Sequence, residues 1–179
     1  MVVGNSRPVA SGKIDKYEQT IAYGKLKNEN NAREIIHKVL RAIGTMWVGD
    51  DIYEDKKAKC LTKNLNYFKH YPNEVKGFFT YVEGLNEKDR IRYVAKELEY
   101  IGNKSARDLL MELGLIRNSI ALDVRVVKSL RDVGINIPDN YNDKKLYPEI
   151  EKDILEIICK PLDLEGVELD RLLYNTYKK

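Results

Sequence analysis

Apolar positions in this chain recur with the period of a helix almost throughout. In the run NAREIIHKVLRAIGTMW, Ile35, Ile36, Val39, Leu40, Ile43 and Trp47 share one face at spacings of three and four. In NEKDRIRYVAKELEYI the stripe is Ile91, Val94, Leu98 and Ile101, and Asn86 stands ahead of it as an N-cap with Asp89 three residues on. The same reasoning predicts further helices over about 14–24, 53–70, 74–83, 104–113, 124–133, 146–159 and 166–176. Pro, Gly and Asn cluster in HYPNE, VGINIPDN and CKPLDLEG and interrupt the pattern there. No segment alternates convincingly with period two, and no block of sequence repeats. The expected fold class is all-α. A length of 179 residues allows one domain or two small helical lobes sharing a cleft.

Composition narrows this. At 43% hydrophobic and 33% charged the chain can bury a core and remain soluble. No apolar run approaches the ~20 residues of a membrane span. The N-terminal MVVGNSRPVASGK lacks the apolar core of a signal peptide and reads as a short arm, so an intracellular protein is expected. Cys60 and Cys159 are too few for a disulfide framework, an all-cysteine zinc site or an iron–sulfur cluster. With His37 and His70 they form no metal-ligand spacing, so no metal is expected. Basic and acidic residues number 31 and 28 and are interspersed, which permits nucleic-acid binding without arguing for it. ASGKI resembles the end of a phosphate-binding loop, but Arg7 and Ile14 stand where that loop needs Gly and Ser or Thr.

The chemistry concentrates in YIGNKSARDLLMELGLIRNSIALD, from Tyr100 to Asp123. A helix ending near Leu98, the turn EYIGNKS and a helix starting at Lys104 or Ser105 form an αα-hairpin over about 87–114. Gly102 is expected to supply the φ > 0 that a tight reversal demands, and Asn103 tolerates it too. Ala106 lets the two helices approach. Free N–H groups at the start of the second helix suit a phosphate. Such a hairpin would grip a nucleic-acid backbone through Tyr100, Gly102, Asn103 and Ser105 without reading bases. Asp123 directly precedes VRVVKSLRDVG, where it would cap another helix.

Leu98–Ala106 (LEYIGNKSA), followed by ALDVRV with Asp123 nineteen positions after Lys104, resembles the helix-hairpin-helix DNA glycosylases and AP lyases. The compact length and the form ALDVRVVKSL are most similar to the small 8-oxoguanine glycosylase/lyase branch, as is the C-terminal GVELDRLLYNTYKK. The resemblance extends from about residue 30 to the end, and its specific part is Gly102–Asp123. It departs from the family at Tyr100, which replaces the first hairpin glycine, and at Arg125, which replaces a histidine. Tyr174 stands where the branch carries a tryptophan.

The resemblance implies a bifunctional enzyme acting as a monomer on duplex DNA with a damaged base, 8-oxoguanine first, and needing no cofactor. It implies two lobes with the hairpin at the cleft between them. Residues 1–30 would pack with a C-terminal segment, 136–179, around a central lobe, 31–135. Lys104 would attack the sugar C1′ of a flipped nucleotide, displace the base and form a Schiff base, after which β-elimination cuts the strand. Only a neutral amine can attack, and both burial and a helix N-terminus favour that form. Asp123, fixed by its cap, would stabilise positive charge on the sugar. Arg125 would reach a phosphate or Asp123. A flipped base needs an aromatic pocket, for which Trp47, Phe78, Phe79, Tyr81 and Tyr174 are candidates. The rival readings are a glycosylase for another damaged base, a non-catalytic DNA-binding hairpin protein, and a helical interaction protein.

Overall fold

The computed structural model describes residues 13–45 and 48–176. The expected N-terminal arm and Trp47 lie outside the described residues. Within them every regular element is helical, as the periodicity predicts. A 3₁₀ turn at Asp15–Tyr17 leads to α1 (Glu18–Ile21) and α2 (Tyr23–Leu26). Then come α3 (Ala32–Ala42), α4 (Lys56–Phe68), α5 (Glu74–Glu83), α6 (Glu87–Glu97) and α7 (Asn103–Glu112). After these come α8 (Val124–Asp132), α9 (Leu146–Ile154) and α10 (Gly166–Thr176). Between the last two, α9 runs on through a π turn, Leu155–Cys159, into a final turn at Lys160–Leu162. No described helix is long and apolar enough to cross a membrane.

The chain divides into two compact units. One holds the described residues up to Tyr81 with Leu98–Tyr100; the other holds Val82–Glu97 and the residues from Ile101 onward. Ile21 and Leu26 pack within the first unit against Ile36, Leu40 and Ala58 of α3 and α4, because a short loop returns the chain directly onto that stripe. Asp55 caps α4, accepting from the N–H groups of Lys57 (2.9 Å) and Ala58 (3.1 Å), and its other oxygen meets buried His37 Nδ1 at 2.8 Å. In the same unit Asn64 of α4 exchanges two hydrogen bonds with the Glu99 peptide, at 3.0 and 2.8 Å.

The second unit is built on Ile120, Leu122, Val126, Leu130, Tyr147, Ile150, Ile154, Leu169 and Leu173, all buried. Burying each such aliphatic side chain contributes roughly 1.5–3 kcal/mol. α7 and α8 stop in the same way. Gly114 (φ +67°) and Gly134 (φ +90°) take the left-handed conformation, and the N–H after each returns to Leu110 and Leu130, at 2.8 and 3.0 Å. Glu87 at the start of α6 accepts from the Arg117 and Asn118 peptides, at 2.9 and 3.2 Å, which fixes the approach to the segment before α8. Gly166 opens α10 so close to that segment that a Cβ would lie 2.6 Å from Ser119 N and 2.7 Å from Ser119 O. α10 can start there only without a side chain.

Candidate active site

The hairpin predicted from sequence forms from α6 and α7, but its turn is made differently. Tyr100 (φ 65°), not Gly102, takes the left-handed conformation. A non-glycine residue there costs on the order of 1 kcal/mol. Gly102 is the N-cap of α7 in an extended conformation (φ −88°, ψ −175°), which any residue adopts. A Cβ on Gly102 would meet nothing within 4 Å. The protein's own packing therefore does not require glycine at this position. The first helical bond of α7 runs from Ala106 N to Gly102 O at 2.9 Å, so the N–H groups of Asn103, Lys104 and Ser105 have no intrahelical acceptor. Tyr100 is 46% exposed, while Asn103 and Ser105 are half-buried.

Lys104 lies in the first turn of α7, with buried Ala106 and Leu110 holding the helix on the core. Burial of the amine is only partial, since the side chain is 37% exposed. Its Nζ is instead paired with Asp108 Oδ2, one turn along the same helix. Asp123 caps α8, accepting from Arg125 N (2.8 Å) and Val126 N (2.9 Å). Both bonds go to Oδ1. Among the described residues Oδ2 accepts no hydrogen bond and is left for a ligand.

Two carboxylates not singled out from sequence join this group. Asp170 of α10 accepts from Ala121 N at 2.8 Å. Its carboxyl is pushed up to about 6, chiefly by burial; the Ala121 N–H opposes this, the charges of Asp108 and Asp123 add to it, and Lys104 lowers it. Asp108 is also raised, again first by burial, against the attraction and hydrogen bond of Lys104 and with the repulsion of Asp123 and Glu112. Asp108 and Asp170 each feel the charges of Lys104 and Asp123, which gathers one cation and three acids from α7, α8 and α10. The i,i+4 spacing of Lys104 and Asp108 is visible in the sequence. Nothing local reports Asp170, whose partners lie 47 or more positions away in the chain (170 − 123).

The segment leading to Asp123 belongs to no helix or strand; one tight turn within it closes from Asp123 N to Ala121 O at 2.6 Å, and side chains hold its other peptides. Glu151 of α9 accepts from Ser119 Oγ (2.5 Å) and Ile120 N (3.0 Å). Asp170 takes Ala121 N, and Tyr147 Oη takes Leu122 N (2.7 Å) while donating to Ile120 O (3.0 Å). Burial pushes the Tyr147 phenol far up, which keeps this donor protonated. Glu151 also receives a two-pronged bond from Arg107 of α7 (2.8 and 2.5 Å), whose guanidinium lies 4.2 Å over the Tyr147 ring. Arg107 neighbours Lys104 on α7, so one buried network positions the amine and the carboxylate together.

The predicted base-pocket residues fall in both units. Phe78 is fully buried in an aromatic cluster with Tyr67, Phe68, Tyr71 and Phe79, a core role that leaves its ring unavailable to a base. Phe79 is half-buried against Phe68 and Phe78. Tyr81 is exposed near Tyr71. Trp47 lies outside the described residues. Tyr174 does join the site's unit, with the Arg125 guanidinium 4.9 Å over its ring.

No family model matches the chain, and no curated protein matches it either. Among solved structures it resembles the 8-oxoguanine glycosylase/lyase of Methanocaldococcus jannaschii, crystallised with a 15-mer DNA containing 8-oxoguanine. The superposition covers 92% of this chain and 71% of that one, with a TM-score of 0.69 and 20% sequence identity. At that identity the likeness speaks to architecture: the chain has the all-helical fold of that archaeal enzyme.

Proposed function

We propose that this protein is a DNA glycosylase with AP-lyase activity of the helix-hairpin-helix family, acting on an oxidised purine such as 8-oxoguanine. The observation that carries the reading is Lys104 in the first turn of α7 and the capped carboxylate of Asp123, whose charges both act on the Asp108 and Asp170 carboxyls. The fold shared with an 8-oxoguanine glycosylase/lyase supports the substrate class. Duplex DNA is the partner and the protein acts on it as a monomer inside the cell.

The N–H groups at the start of α7 would take a backbone phosphate, and the open space over Gly102 lets the DNA backbone approach. Such contacts set position and leave base choice to a pocket. Tyr174, with the Arg125 guanidinium across its ring, is the aromatic wall this reading offers to the base. Lys104 attacks C1′ and the C1′–N bond breaks, its electron pair leaving with the base. Asp123 Oδ2, held by a cap that uses only Oδ1, stabilises the positive charge on the sugar. The sugar ring opens to an iminium on Lys104. Loss of a C2′ proton then expels the 3′ phosphate and cuts the strand.

Borohydride trapping tests this with three duplexes carrying 8-oxoguanine, an abasic site or no lesion. A covalent adduct on the first, absent in Lys104→Gln, is the expected result. An adduct confined to the abasic duplex would keep the lyase and reassign the base. No adduct on any duplex would overturn the enzymatic reading in favour of a non-catalytic DNA-binding hairpin.

A further inference from the structure

We propose that Asp108 is the base that takes the proton from Lys104 and so unmasks the nucleophile, an assignment that rests on the glycosylase/lyase reading. Of the three carboxylates in this cluster, Asp108 and Asp170 feel the charge of Lys104, and two of the three hold backbone N–H groups. Asp123 holds the N–H groups of Arg125 and Val126, and Asp170 holds that of Ala121. Among the described residues the Asp108 side chain accepts one hydrogen bond, from Lys104 Nζ, and none from a backbone N–H. It is the carboxylate that touches the atom to be deprotonated.

An i,i+4 pair of this kind is ordinarily a solvated helix contact of little consequence. This one differs in what surrounds it. Glu112 lies one turn on along α7, Asp123 comes from the cap of α8, Asp170 from α10, and the Tyr147 phenol from α9. Those acids make it unfavourable for all three site carboxylates to stay charged, and a proton on one relieves the repulsion. Burial and these neighbours raise the Asp108 carboxyl above its ordinary range, which makes it a better base than a solvated aspartate.

In the step itself an N–H bond of the Lys104 ammonium breaks and an O–H bond forms on Asp108. The freed pair on nitrogen makes the bond to C1′, and the base departs as an anion with the glycosidic pair. The sum of charges is unchanged, and the proton on Asp108 is then available to neutralise the departed base.

The test is the single-turnover rate of borohydride-trappable adduct on abasic duplex, from pH 5 to 9, for wild type, Asp108→Asn and Asp108→Glu. Affinity for an uncleavable duplex and thermal melting are measured alongside. Wild type is expected to lose rate on the acid side, at a pH above that of an ordinary aspartate. Asp108→Asn is expected to fall about a hundredfold near neutrality. Its rate should climb steadily with pH as solvent takes the proton, with affinity within about twofold and an unchanged melt. Asp108→Glu should recover part of the rate. An Asp108→Asn profile superimposable on wild type overturns this assignment alone. Absence of adduct in wild type overturns the enzymatic reading, and the assignment with it.

Discussion

Asparagine caps a helix about as well as aspartate does, so Asp123→Asn keeps the two bonds to Arg125 N and Val126 N while removing the charge. The rate of base excision should drop about 10²–10³-fold, with the melting temperature within about 2 °C of wild type. Asp123→Ala should lose the same activity and, in denaturant titration, about 1 kcal/mol more. Gly102→Ala separates binding from folding in the opposite sense. Its Cβ meets no protein atom, so unfolding should be nearly unaffected, while the Kd for duplex DNA measured by anisotropy should rise at least several-fold. An unchanged Kd would remove Gly102 from the phosphate contact. The helix start at Lys104 and the cap at Asp123 were legible in the sequence because both are local features. Asp108 was legible in principle by helix spacing. Asp170 was not, because a carboxylate in an apolar helix acquires its role only from what the fold brings to it.

At the scale of elements, the helices could be read from their period, since the apolar stripe that marks each one also becomes its buried face. The hairpin turn was misread. Glycine suits a left-handed residue, yet here Tyr100 takes that conformation and Gly102 is extended; the neighbouring Glu99 peptide is pinned by Asn64, a contact distant in sequence. The irregular approach to Asp123 was equally invisible, because its partners are side chains of α9 and α10. That network gives a sharp expectation. Arg107→Met leaves Glu151 buried as an unpaired charge, and urea unfolding should show a loss of about 3–5 kcal/mol. A loss below about 1 kcal/mol would mean that Glu151 is served well enough by Ser119 and Ile120 alone.

Across the whole molecule, a net charge of +3 gives little general attraction for DNA, so under the proposed function binding would have to come from local geometry. Global stability should respond to the acid cluster. Asp170 holds its proton more tightly folded (about 6) than unfolded (3.8). A group raised in this way lends stability that is complete below about pH 4 and is lost as pH rises through about 6. The loss is roughly 1.4 kcal/mol per unit of separation, a few kcal/mol at most. Unfolding in urea at pH 4.5 and 7 should show it, and Asp170→Asn, which can still accept from Ala121 N, should flatten that part of the profile. An unaltered profile would mean that the cluster's repulsion is relieved elsewhere.

Ile120, Ala121 and Leu122 belong to no helix, and such stretches ordinarily trade their amide hydrogens with solvent deuterium in seconds. Here each amide can do so only when Glu151, Asp170 or Tyr147 lets go, and those residues are anchored in α9 and α10. The three amides should therefore exchange on the slow clock of the surrounding helices, tied to cooperative opening rather than to local fluctuation. The backbone leading to the Asp123 carboxylate would then keep its shape for as long as the second unit stays folded.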